Sequence, residues 1–268
     1  MSMQLQQVYD ISAPSVAALG LVVIETQLNR LLQGPVNDIL QDNTGKEELT
    51  DLLNGLATTD FEQAELEAVL NLPTVSDYED WLIGEALAEV LLVENDGCSF
   101  PWPTSRDLKN PSASPAGCDL TGFQQDIDDE NSYRFCFGEV KTSWQKKYPP
   151  SVMDSLGRQL STLCQCKNTR DHLMRYLGLH SKGQPWEDKF QSAAAKYLHS
   201  AGKDISVYGV LVRDTEPDKK DLASKAKQLA EVVPRETALC LYAFYIPLGE
   251  IQSLPSRLKT IQQAGGEQ

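Results

Sequence analysis

The residues best placed to do chemistry are Glu139, Val140 and Lys141, preceded twenty positions earlier by Gly117, Cys118 and Asp119. The chain holds four acid-x-Lys triplets, Asp107/Lys109, Glu139/Lys141, Glu187/Lys189 and Asp218/Lys220, so the pattern alone carries little. Only Glu139-Val140-Lys141 lies in an aromatic, β-branched run, YRFCFGEVKTSW, and only it follows a Gly-x-Asp on a second strand candidate, GCDLTGF. Side chains i and i+2 of a strand leave the same face, so Glu139 and Lys141 point together, and pairing of the two strands lets Asp119 reach the same point. Two carboxylates and an ammonium within a sheet need mutual pairing or a cation to offset the cost of burial. A hard divalent ion, Mg²⁺ or Mn²⁺, suits such oxygen ligands and would polarise a scissile phosphate, while Lys141 orients or deprotonates the attacking water. A plain salt bridge among the three side chains fits the spacing equally well.

Two helical residues extend the constellation. Glu85 and Glu89 form an i, i+4 pair, and Glu85 follows Gly84, where a helix can approach a sheet closely, so Glu85 is the candidate third acid and Glu89 is expected in solvent. Gln159, in GRQLSTL, carries an amide able to bond a phosphate or a bound water. The net charge of −14 argues against a nucleic-acid partner, since phosphate contacts need Lys and Arg. Its distribution argues otherwise: residues 140–182 carry eight basic side chains against Asp154 and Asp171, a net of +6, while residues 1–94 hold 17 acids against Arg30 and Lys46. Lys146, Lys147, Arg158, Lys167 and Arg170 are the candidate DNA contacts on this strip, which read by itself is also compatible with a merely solvated basic helix surface.

Other chemistries find little footing. Cys164-x-Cys166 lacks the four ligands of a tetrahedral zinc site and reads as small buried thiols on a helix. His172, His180 and His199 have no acid pair nearby in sequence, Ser143 has no nucleophile elbow, and both Gly-rich phosphate-loop patterns are absent. Trp102, Trp144 and Trp186 can stack on bases or fill a core. No apolar run approaches the roughly 20 residues of a bilayer span. The start, MSMQLQQVYD, has no basic signal-peptide region, so a cytoplasmic location with reduced cysteines is expected.

The elements that must position these residues follow from periodicity and punctuation. Residues 12–33 and 46–72 read as amphipathic helices, giving an acidic helical N-terminal region over 1–76 and a second unit over 77–268. SDYEDWLIGEALAEVLLVEN reads as a helix opened by a Ser76/Glu79 capping box. A Pro-rich loop over 100–116 leads to the two antiparallel strand candidates, and SVMDSLGRQLSTLCQC reads as the next helix. Helices over 168–178 and 186–201, strands at ISVYGVLVRD and TALCLYAFYIP with a helix between them, and a closing helix over 248–263 complete an α/β fold with a mixed central sheet.

Taken in order, helix-Glu85, Gly117-Cys118-Asp119, Glu139-Val140-Lys141 and helix-Gln159 resemble the PD-(D/E)xK nuclease superfamily. That resemblance implies a restriction-endonuclease-like αβββαβ core and a Mg²⁺-dependent phosphodiesterase. It implies a metal held by Asp119, Glu139, the Val140 carbonyl and Glu85, with Lys141 and Gln159 assisting. RecB-like members carry a Tyr at Q-x-x-x-Y, where this chain has Leu163, so the subfamily is left open. The wording GEALAEVLL, GCDLTGF and FGEVKTS is further similar to the HamA family, nuclease effectors of the bacterial Hachiman anti-phage defence system, which implies a HamB-like helicase partner that restrains the nuclease. From another class, the same residues fit a non-catalytic adaptor whose carboxylates serve only in salt bridges.

Overall fold

The computed structural model describes residues 4–53, 55–70, 78–107 and 117–265. The chain begins with two strands, β1 (Gln6–Ala13) and β2 (Val16–Val22), then helices α1 (Glu25–Gln33), α2 (Pro35–Gln41), α3 (Asn43–Leu53) and α4 (Asp60–Leu70). Next come α5 (Asp80–Asp96), β3 (Cys98–Ser99), β4 (Leu120–Gln125), β5 (Tyr133–Ser143) and α6 (Val152–Gln165). The remainder is α7 (Lys167–Ser181), α8 (Glu187–His199), β6 (Ile205–Arg213), α9 (Lys220–Ala230), β7 (Ala238–Tyr245) and α10 (Leu254–Gly265). Among the described residues no helix is long and apolar enough to cross a membrane.

Among the described residues, seven strands form one mixed sheet in the order β1-β2-β7-β6-β5-β4-β3. The strands β5, β6, β7 and β2 run parallel, flanked by the antiparallel pairs β4/β5, β3/β4 and β1/β2. Every residue of β6 is buried, as expected of a central parallel strand covered by helices on both faces. One face packs under α1, α2, α5 and α10, through Val140, Val210, Val212, Tyr242 and Phe244. The other packs under α6, α8 and α9, through Phe135, Phe137, Val207, Leu211 and Leu241. The expected α/β class and mixed sheet are therefore present.

The N-terminal expectation fails. Residues 12–22 belong to two strands rather than a helix, and β2 joins β7 in the common sheet, so the first part of the chain is not purely helical. Val16–Ile24 is an apolar run too short for periodicity to separate helix from strand, and pairing to β7 decides the matter. The Pro14-Ser15 corner, with Ser15 at φ 63, is the local signal against a helix. The expected helix over 46–72 is two helices, α3 and α4. The boundary at 76/77, Ser76, Lys109, Pro111 and Pro115 lie outside the described residues, and Glu79 stands at the N-cap position of α5 without a side-chain capping bond.

Helix α5 buries Ile83, Ala86, Leu87, Val90, Leu91 and Leu92 against the sheet. Each large apolar side chain contributes roughly 1.5–3 kcal/mol relative to exposure. It ends at Gly97, whose left-handed φ of 63 turns the chain directly into β3. In its second turn, Gly84 sits so tightly on β5 that a Cβ there would collide with Thr142 Oγ1. This close approach brings the acids of α5 to the sheet.

Candidate active site

Strand β4 begins at Leu120, opposite Gly138 of β5, so beyond Gly138 the β5 edge has no strand neighbour on that side. Asp119, the residue just before β4, fills the gap with its side chain: Oδ2 accepts the Val140 N–H at 2.7 Å. A strand residue's N–H and C=O leave on the same edge, so the Val140 carbonyl also projects along this open stretch. The turn is fixed by Cys118, whose thiol lies 3.0 Å from the Gly138 carbonyl and 3.2 Å from that of Leu120. Sequence reading passed over Cys118 as chemistry; its part here is to anchor Asp119.

Glu139 and Lys141 stand on one face of β5, as their spacing requires, and Lys141 Nζ lies 3.4 Å from Asp119 Oδ2 and 3.5 Å from Glu139 Oε2. Glu139 is 4 % exposed, and despite the nearby ammonium its Oε2 has no hydrogen-bond partner. Burial first, then the charge of Asp119, raises the Glu139 carboxyl above the usual range, while Lys141 pulls it back. Glu85, on α5, feels the charges of the same residues: burial and then Asp119 push it up to about 8, with Lys141 opposing. Lys141 itself pairs with Asp119 and Glu139. Glu89, expected in solvent, is instead partly covered, and burial alone raises it to about 8. It lines a cavity of about 370 Å³ with Asp38, Asp42, Arg106 and Trp186.

Gln159 occupies α6, which packs on β5, and its side chain accepts from Ser155 Oγ at 3.2 Å. No hydrogen bond joins it to Asp119, Glu139 or Lys141 among the described residues. Of the basic strip, Lys146, Lys147, Arg158 and Lys167 are exposed, and Lys167 is paired with Asp171 at 2.7 Å. Arg170 must be corrected. It is 4 % exposed and donates to the carbonyls of Leu163, Cys164 and Gly202, so it caps the end of α6 and does not face a phosphate. Cys164 is buried as expected, but Cys166 is exposed at the α6/α7 junction. Trp186 is buried, Trp144 is exposed, and Trp102 stacks on His180 at 4.4 Å. Of the other acid-x-Lys pairs, Glu187/Lys189 lies on α8 and Asp218/Lys220 forms a 3.7 Å ion pair at the start of α9.

Whether this centre suits a divalent cation can be judged from its donors. Among the described residues no three His, Cys, Asp or Glu side chains stand at metal-holding spacing. Mg²⁺, however, is commonly held by one or two carboxylates with waters and substrate oxygens supplying the rest. Asp119, Glu139, whose Oε2 accepts no hydrogen bond, and the Val140 carbonyl edge meet that lesser requirement. No family model matches the chain, and no curated protein matches it either.

Proposed function

We propose that this chain is a metal-dependent DNA nuclease of the PD-(D/E)xK kind. The succession α5, β3, β4, β5, α6, β6 is read as its αβββαβ core, and the chain as the effector of an anti-phage complex with a HamB-like helicase. The observation that carries the reading is the buried Glu139 carboxyl, with Oε2 ion-paired to Lys141 but accepting no hydrogen bond, beside Asp119 at the open edge of β5. Asp119, Glu139 and the Val140 carbonyl would hold Mg²⁺ or Mn²⁺, with Glu85 as a further oxygen donor. When bound, the ion supplies Lewis acidity at a phosphate oxygen. Lys141 positions the attacking water and offsets developing negative charge on the phosphate. Gln159, Lys146, Lys147, Arg158 and Lys167 lie on or near α6 and steer the DNA backbone. A carrier with net charge −14 binds DNA weakly by itself, which gives the helicase the task of delivering substrate.

The test is a nuclease assay on supercoiled plasmid with Mg²⁺, using the purified chain and the complex captured with its tagged form, with and without ATP. Nicks or a smear that vanish in Glu139→Ala/Lys141→Ala, with an unchanged circular dichroism spectrum, are expected. DNA degradation by the double variant at the parent rate rejects the reading. Discrete fragments would instead indicate a sequence-specific restriction enzyme. A second reading, the non-catalytic adaptor, is favoured by the lack of a three-ligand side-chain set among the described residues. An adaptor shows no Mg²⁺-dependent thermal stabilisation, whereas a nuclease loses it on Asp119→Ala.

A further inference from the structure

The helical hairpin α3–α4 differs from every other layer of the fold in what it leaves uncovered. Neither helix has a buried residue. Leu52, Leu56 and Phe61 are 74 %, 69 % and 73 % exposed, and Val69 is 49 % exposed. On α3 and the turn after it, Leu49, Leu52, Leu53 and Leu56 recur at the i, i+3, i+4, i+7 spacing of an apolar helix face, yet no part of the sheet lies beneath them. Leu53, Leu56, Ala57, Phe61 and Leu66 instead form a groove of about 380 Å³ open to solvent, with Glu62 and Glu65 on its rim.

What holds the hairpin to the body is polar and sits at its beginning. Arg106 grips Asp42 through two nitrogens, at 2.8 Å each, and reaches Glu48 at 2.9 Å. Each helix has 11 residues, about the length at which isolated helices are marginal in water, and their packing on the body contributes little. A contiguous apolar groove rimmed by charge marks a binding surface. The charge selects the occupant. Residues 43–70 carry seven acids against Lys46, a net of −6, which repels nucleic acid, anionic lipid headgroups and a second copy of this acidic chain.

We propose that the α3–α4 groove is a docking site for a basic amphipathic helix of a partner protein, leucine-like side chains entering the groove and lysines or arginines meeting the acidic rim. This surface is independent of the nuclease reading and stands or falls without it.

The full chain is titrated against a fluorescein-labelled synthetic amphipathic helix with one leucine face and one lysine face, read by anisotropy. Saturable binding is expected, weakened at least about tenfold by Leu56→Ser/Phe61→Ser and by raising salt. A glutamate-for-lysine version of the helix should not bind. Because Leu56 and Phe61 are exposed, the double variant should fold; Glu65→Lys/Glu67→Lys, which leaves the apolar floor intact, should weaken binding in the same direction. Absence of binding, or binding that both double variants leave unchanged, overturns the proposal. Concentration-dependent dimerisation in sedimentation, abolished by Leu56→Ser/Phe61→Ser, assigns the groove to a second copy and also overturns it.

Discussion

Around Glu139 two carboxyls meet one lysine near a strand edge, whereas on neighbouring β6, level with Ser143, Arg213 is buried against Asp221. Arg213 and Asp221 are both wholly buried and 3.6 Å apart. Tyr245 donates to Asp221 at 2.8 Å, Tyr9 joins Tyr245 at 2.8 Å, and Arg213 stacks over Tyr148. Each cluster leaves atoms without a hydrogen bond: Glu139 Oε2 in one, Arg213 Nη1 and Asp221 Oδ1 in the other. The difference lies in access. Arg213 and Asp221 have no exposed surface, which suits them to holding the fold together. In the Glu139 cluster two carboxyls face one ammonium, burial and then Asp119 raise the Glu139 carboxyl, and the group reaches solvent, with Lys141 20 % and Asp119 18 % exposed. A cation arriving at that opening would favour the ionised form of Glu139, which is the basis for proposing one there.

Substitutions that separate these two behaviours sharpen the contrast, and the largest effect falls on activity. Glu139→Ala or Lys141→Ala should lower plasmid cleavage by about 10²-fold or more while leaving the melting temperature within a few degrees of the parent. In the sealed cluster the outcome reverses. Arg213→Ala strands a buried aspartate and should cost about 3–5 kcal/mol in urea unfolding, and replacing both partners by Met and Leu should recover most of it. Equal stability loss from Lys141→Ala and Arg213→Ala would erase the distinction.

A smaller effect concerns Glu89. Its carboxyl is raised by burial from 4.5 to about 8, so between those pH values the folded chain binds more protons than the unfolded one. Stability contributed by the neutral form is therefore present below about pH 4.5 and lost as pH rises through the folded value. Glu89→Gln should remove this slope and stabilise the chain by on the order of 2 kcal/mol at pH 8, read by chemical denaturation across that range. The smallest effects belong to the surface. Lys146→Ala and Lys147→Ala should each lower the salt slope of DNA binding by about one, with no change in stability, whereas Arg170→Ala should destabilise the fold.

Much of this was legible before any coordinates. The sheet strands from β4 onward, helix α5 and the convergence of Asp119, Glu139 and Lys141 follow from local rules: alternation on a strand, helical spacing, and glycine where α5 meets Thr142. The failures share a non-local cause. Val16–Val22 becomes a strand because β7 offers it a parallel partner more than two hundred residues away in sequence. Arg170 looks like a member of a basic strip until the end of α6 turns its carbonyls towards it, and Gly202 supplies a third. Glu89 reads as solvated because nothing in its own helix reveals that α2, the segment around Arg106 and the turn before α8 close over it. The Asp119 bond to the Val140 N–H depends on where β4 starts, which alternation alone does not specify.

The most direct measurement is calorimetric titration of Mg²⁺, and of Mn²⁺, into the purified chain and into Asp119→Ala and Glu139→Ala. One saturable site in the parent, lost in both variants and retained in Arg213→Lys, is the expected result. A parent that binds neither ion, or variants that bind as the parent does, would contradict the assignment of these carboxylates to a cation.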